Sequence, residues 1–364
     1  MIGIIHSIIK MWSAIVVLSL VGCAVAGPPV TRSRKDIEGF RAYLERSRTD
    51  DGLRLESRML LNPKASAWEN SGKFQGDILL TDKQAEVLIQ QYAGVGARNA
   101  FMWPNTKWPR NTVVYEINNE FTQAQVQAIR ASMAEIEEHT CIRFRRKTRF
   151  DRNYVLVTGR PDGCYATAGY HEDMGMHTMN IGKANPGEGC FINAIIIHEW
   201  LHIIGFLHLH STHDRDDYVH ILWENMVEGG DYNYEKFDTD MVNNMEVPYE
   251  YASTMHYDRY GFTANGRPTM LPIYNDDGLM GQVDYVTEWD WLRVNRHYNC
   301  PWAWETPVYA DELSQGRANH AALEKMSQGD VDEDLPQEEV LAADMPQDFE
   351  AEKVSVVEEA PQDQ

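Results

Sequence analysis

The chain has 364 residues and a formal net charge of −22. A chain this acidic is repelled by nucleic-acid phosphates and anionic lipid, which excludes the polyanion-binding classes. Its 43% hydrophobic share is ordinary for a globular protein and permits a sizeable core.

At the N-terminus, Lys10 precedes an apolar run from Met11 to Val21, and Ala24-Val25-Ala26 supplies small residues for cleavage before Gly27. Residues 1–26 therefore read as an export signal, which makes the product secreted and extracellular. The alternative is an uncleaved membrane anchor, but a span needs ~20 apolar residues and this run is shorter. No later segment is long and apolar enough to cross a bilayer. With Cys23 removed, Cys141, Cys164, Cys190 and Cys300 remain. Four cysteines in an exported chain suggest two disulfides, with three pairings open. There is no Cys-x-x-Cys and no Asn-x-Ser/Thr.

Residues 27–98 are polar, lack cysteine and carry a basic patch at Arg32, Arg34 and Lys35. Residues 99–300 hold the four cysteines and most of the aromatic residues. Within them, β-branched and aromatic residues at 112–117 predict a strand. Thr122 and Gln125 match a capping box, and Val126, Ile129, Met133 and Ile136 follow at helical spacing. Further strands are expected at 141–144, 154–157 and 178–181. A buried helix is expected over about 193–204, and a last one over 287–298, capped by Thr287 and closed by Cys300. Strands and helices come early and the second half is irregular, which argues for α+β. Residues 301–364 are rich in Asp, Glu, Gln and Ala; from Asp311 onward, 16 acidic residues face 3 basic ones. Such a stretch buries too little apolar surface to offset ordering entropy and is expected to be a disordered, solvated tail. Its carboxylates lack the spacing of a defined calcium loop.

The stretch that carries chemistry is His198-Glu199-Trp200-Leu201-His202-Ile203-Ile204-Gly205-Phe206-Leu207-His208. His198 and His202, four apart, project from one helix face. Gly205 can end the helix in a left-handed conformation, so that His208 reaches the same point. Three neutral imidazoles suit one Zn2+ and leave an open position for water. Glu199, beside the first ligand, can take that water's proton without ligating.

This eleven-residue pattern is that of the metzincin metallopeptidases. With the continuation Asp214-Arg215-Asp216-Asp217-Tyr218-Val219, it resembles the astacin family in particular. Ser253-Thr254-Met255-His256-Tyr257 resembles the astacin Met-turn, and the likeness, over about residues 99–300, includes Thr140-Cys141-Ile142-Arg143-Phe144 and Gly281-Gln282. The resemblance implies a metzincin-type α+β catalytic domain of two subdomains, with a twisted mixed sheet, a zinc-binding helix and a cleft between the subdomains. It implies pairings Cys141–Cys300 and Cys164–Cys190. It makes Met255 an apolar floor under the zinc, and Tyr257 a resting ligand that swings to hydrogen-bond the oxyanion. It gives strand 178–181 the role of aligning a protein or peptide substrate by main-chain pairing at an exposed edge. Phe74-Gln75-Gly76-Asp77 resembles the family's aspartate switch, with Asp77 filling the open zinc position in the latent form only. Residues 27–98 would then be an inhibitory propeptide, and an activating protease cutting after Arg98 would free Asn99-Ala100.

Leu209 stands where astacins usually carry the Glu that anchors the new N-terminus, and Thr212 replaces a usual Arg. A leucine offers an ammonium no acceptor, so the mature N-terminus is expected to be mobile or held by another group. Two other readings compete with a secreted zinc endopeptidase. One is a binding protein that keeps the fold without turnover. The other is an acidic interaction or calcium-buffering protein driven by the tail.

Overall fold

The computed structural model describes residues 32–94, 106–237, 239 and 241–305. The expected export signal, the cut after Arg98 and nearly all of the acidic tail lie outside them.

Three short helices lead the described chain. They are α1 (Arg34–Ser47), α2 (Leu55–Leu61) and α3 (Asp82–Tyr92). Capping boxes open α1 at Ser33/Asp36 and α3 at Thr81/Gln84, each satisfying amide donors that a helix start leaves free. Phe40 and Leu44 of α1 meet Leu88, Ile89 and Tyr92 of α3 in a small core. The same cluster takes in Phe74, Ile78 and Leu80, and also Ala168, Leu207 and Phe237 from the later chain. The N-terminal segment thus folds around apolar side chains of its own and borrows others from the body.

The main sheet contains β1 (Ile78–Leu79), β2 (Thr112–Ile117), β3 (Arg143–Arg146), β4 (Tyr154–Thr158), β5 (Cys164–Thr167) and β6 (Met176–Ile181), in the order β1-β5-β6-β4-β2-β3. Strands β2, β3, β4 and β6 pair in parallel, and β5 is antiparallel to β6. Helix α4 (Gln123–His139) opens at the Thr122/Gln125 capping box, as the sequence predicts, and packs on α5 (Asn193–Ile203). Beyond α5, the described chain is mostly turns, with a β7 (Val219–Ile221)–β8 (Met270–Pro272) ribbon and α6 (Glu288–His297) capped by Thr287. The fold is α+β.

Two expectations need correction. The strand expected at 141–144 begins later, at Arg143. Thr140 Oγ1 donates to Ile136 O and accepts from Ile142 N, holding this stretch at the helix exit, and Cys141 is tied to Cys300. The strand expected at 178–181 to offer a free edge is interior instead, with β4 on one side and β5 on the other. Among the strands of the later chain the outermost on that side is β5, whose Cys-Tyr-Ala-Thr run is buried throughout and shows no alternation to read. Its outer side is covered in parallel by β1, with Ile78 opposite Ala166.

The disulfides are Cys141–Cys300 and Cys164–Cys190. By chain entropy they contribute about 5 and about 3.5 kcal/mol. The first ties the start of β3 to the end of α6, and the second ties the edge strand to the entrance of α5.

Leu44 is fully buried between α1 and α3. Leu44→Ala is expected to destabilise the N-terminal segment by about 3 kcal/mol, read by denaturant unfolding of the full chain. A loss below about 1 kcal/mol would contradict this packing.

Candidate metal centre

Helix α5 is apolar on nearly every side, and each residue from Ala194 to Ile203 is buried. Such a helix belongs in a core, and it carries His198, Glu199 and His202 inward. Gly205 then adopts φ +105°, a setting that side-chain-bearing residues rarely take, and the chain turns back to bring in His208.

Each histidine ring is oriented from behind. His198 Nδ1 donates to Thr254 O at 2.7 Å, His202 Nδ1 to Phe206 O at 2.8 Å, and His208 Nδ1 to Gln75 Oε1 at 3.0 Å. These oxygens only accept, so every ring carries its proton on Nδ1 and aims an Nε2 lone pair inward. Burial favours the uncharged rings. It lowers His198, holds His202 down at about 4 and puts His208 well below the usual range.

The Nε2 atoms converge. That of His198 lies 3.0 Å from His202 Nε2 and 3.3 Å from His208 Nε2. Asp77 brings Oδ2 to 2.9 Å from His198 Nε2, and Oδ1 to 3.3 Å from both His202 and His208 Nε2. All four ligand atoms lie within 4.8 Å of one another. Lone pairs facing each other this closely repel unless a positive charge lies between them. Tetrahedral zinc with ~2.05 Å bonds to nitrogen sets its ligand atoms about 3.3 Å apart. The donor set and its spacing therefore fit one zinc ion.

Other buried polar groups face the same region. Neither carboxylate oxygen of Glu199 has a hydrogen-bond partner, and neither does the Tyr257 hydroxyl. Burial, with the Asp77 charge second, pushes Glu199 well above the usual carboxylate range. Burial also raises Asp77, to about 7, against the pull of His198. A bound divalent cation reverses that push, because it stabilises the carboxylate form.

Met255 is buried in the main core, and its carbonyl accepts from Leu209 N at 2.8 Å. Asp290 of α6 accepts from Ser253 Oγ at 2.6 Å and from Thr254 N at 2.9 Å. The last helix thus fixes the turn whose carbonyl orients His198. Leu209 is buried in the same core, and Thr212 is buried with its Oγ1 unpaired. The expected new N-terminus at Asn99 lies outside the described residues.

The N-terminal segment supplies more to this site than the sequence reveals. The Trp68 ring stacks on His198 at 4.4 Å and on His208 at 4.8 Å. Gln75 grips three groups: it accepts from His208, its Nε2 donates to Ser211 Oγ at 2.7 Å, and its backbone N donates to Asn233 Oδ1 at 2.8 Å. Gly76 has φ +85°, and a Cβ there would lie 2.8 Å from Glu69 Cα, so glycine is required between Gln75 and Asp77. The sequence places Gln75 in the Phe74–Asp77 stretch but gives it no role, and nothing in it ties Trp68 to the site.

Residues 101–299 match the profile of the Astacin peptidase family. Among characterised proteins, the chain is 30% identical over 227 residues to zinc metalloproteinase nas-4 of Caenorhabditis elegans, covering 62% of this chain and 69% of that one. It is 30% identical over 285 residues to nas-6 of the same organism, covering 78% and 76%. It is 37% identical over 189 residues to high choriolytic enzyme 1 of Oryzias latipes, covering 52% and 66%. The solved structure of that hatching enzyme zinc-protease aligns at 36% identity and a TM-score of 0.47, over 53% of this chain and 93% of the other.

Gln75→Leu leaves the buried His208 N–H without its acceptor. The full-length chain is expected to lose about tenfold in zinc affinity, read by chelator competition. Unchanged affinity would show that Gln75 is only packing.

Proposed function

The chain belongs to the astacin family of zinc metalloendopeptidases, and from that premise we propose that it is exported as a latent precursor whose residues 27–98 silence a catalytic domain at 99–300. One observation carries the reading. Asp77 of the N-terminal segment and three histidines of the body bring four ligand atoms to one buried point. A carboxylate there takes the coordination position that an attacking water needs.

Zinc, when bound, acidifies a water and polarises the peptide carbonyl. The rest is the work of the chain. His198, His202 and His208 would hold the ion through Nε2, each ring fixed by its Nδ1 hydrogen bond. Glu199, next in sequence to His198 and free of partners, takes the proton of the attacking water and passes it to the leaving amine. Tyr257 offers a phenolic donor to the oxygen on which negative charge develops. Its ring is held at 3.8 Å by His210 and at 5.0 Å by His208. Met255, buried in the main core, would be the apolar floor under the ion. Displacing the segment uncovers β5 for main-chain pairing with a protein or peptide substrate. Among the described residues no helix is long and apolar enough to cross a membrane. The unpartnered Glu199 and Tyr257, poised beside the histidines, favour a working enzyme over an inert binding protein.

Two outcomes test this. The cut form should hydrolyse a denatured protein, lose activity to a zinc chelator and regain it with zinc, while Glu199→Ala should fall by at least about 10^3 in kcat. The uncut chain should be silent, and Asp77→Ala should loosen the segment and raise the uncut chain's activity above that background while leaving it below the cut form. An uncut wild-type chain as active as the cut one would remove Asp77 from its role.

A further inference from the structure

Between the metal centre and the N-terminal helices lies a second buried charge contact. Lys73, four residues before Asp77, is 6% exposed, and its Nζ lies 4.8 Å from the centre of the Tyr165 ring. Tyr165 is the second residue of edge strand β5 and is itself buried. Its hydroxyl donates to Asp162 Oδ2 at 3.1 Å, and Asn180 Nδ2 donates to Asp162 Oδ1 at 3.3 Å. Asp162 is 7% exposed. Burial lowers the pKa of the Lys73 ammonium, and Asp162 is the largest of the charges opposing this, ahead of Asp50 and Asp51.

These partners divide between the two parts of the chain. Asp50, Asp51 and Thr49, whose carbonyl accepts from Lys73 at 3.1 Å, belong to the N-terminal segment. Asp162, Tyr165 and Asn180 belong to the catalytic body. The segment lies along the 161–167 stretch throughout. Leu55 N donates to Pro161 O, Ser71 Oγ accepts from Cys164 N, and Asp77 O accepts from Ala166 N. When it leaves, the Tyr165 face that Lys73 covers is laid open, while Asp162 and the body's own Arg160 stay at its hydroxyl end.

We propose that Tyr165 and Asp162 form a subsite for a lysine or arginine side chain of the substrate, close to the cleaved bond, which Lys73 fills in the latent protein. The proposal rests on reading residues 27–98 as a propeptide that departs, and it narrows the substrate class to chains with a basic residue at one fixed distance from the scissile bond. An aromatic face attracts a cation through its quadrupole, and more strongly where water is excluded. The carboxylate is held by Tyr165 and Asn180, so it needs little reorganisation to receive the charge.

The test uses full-length protein activated by limited proteolysis, and peptides in which a single lysine is walked through the positions on either side of the cleaved bond. At one position lysine is expected to raise kcat/KM about tenfold over alanine. In Asp162→Asn, which keeps the size and the tyrosine contact, that lysine-to-alanine ratio should fall toward one. A ratio near one at every position in the wild type would overturn the proposal with no variant needed, as would an undiminished ratio in Asp162→Asn. Hydrolysis without lysine preference sinks the subsite alone; absence of any chelator-sensitive hydrolysis sinks the peptidase reading and the subsite together.

Discussion

Everything at the centre of this protein depends on three N–H groups that point away from it. Each ligand histidine donates through Nδ1 to a carbonyl-type oxygen, and this alone decides that Nε2 faces inward unprotonated. The oxygens come from three different places: the Met-turn, the residue just beyond the helix, and the N-terminal segment. The helix supplies spacing, but these acceptors supply ring rotation and tautomer. The rest of the fold can be read as support for them. Asp290 braces the Met-turn, Gly205 releases the chain so that the Phe206 carbonyl can bend back, and the Cys164–Cys190 bridge steadies the approach to the helix.

On the proposed reading, latency would share parts with metal binding. Asp77 stands with the three histidines as a group that could hold the ion, and Gln75, two residues earlier, orients the third histidine. Trp68 lies across two of the imidazoles. The same loop therefore plugs the centre, completes its outer hydrogen bonds and covers it. Gly76 makes this possible, since a side chain there would strike the Glu69 backbone.

Much of the body was legible because its signals are local. The capping boxes at Thr122 and Thr287, the period of α4 and the spacing of His198, His202 and His208 each need only a few neighbouring residues to be read. Neighbours do not reveal which strand lies at an edge. Cys164–Thr167 shows no alternation that would declare it, and its place between β1 and β6 follows from pairing with residues far away in sequence. The N-terminal helices were written in Ser33/Asp36 and Thr81/Gln84, yet the polar character of the region masks the few apolar residues that form its core. Gln75 and Trp68 were invisible as site residues because their partners lie over a hundred positions downstream.

The apolar cluster shared by Phe40, Leu44, Phe74 and Ile78 with Ala168, Leu207 and Phe237 bears on how such a protein is switched on. A single scission between the two parts breaks a covalent tether but no contact in that cluster. What it abolishes is the high effective concentration that one continuous chain confers. On the proposed reading the severed piece would then be a separate inhibitor whose grip depends on dilution. Onset of activity would follow protein concentration and the destruction of the freed piece, and would lag behind the cleavage itself.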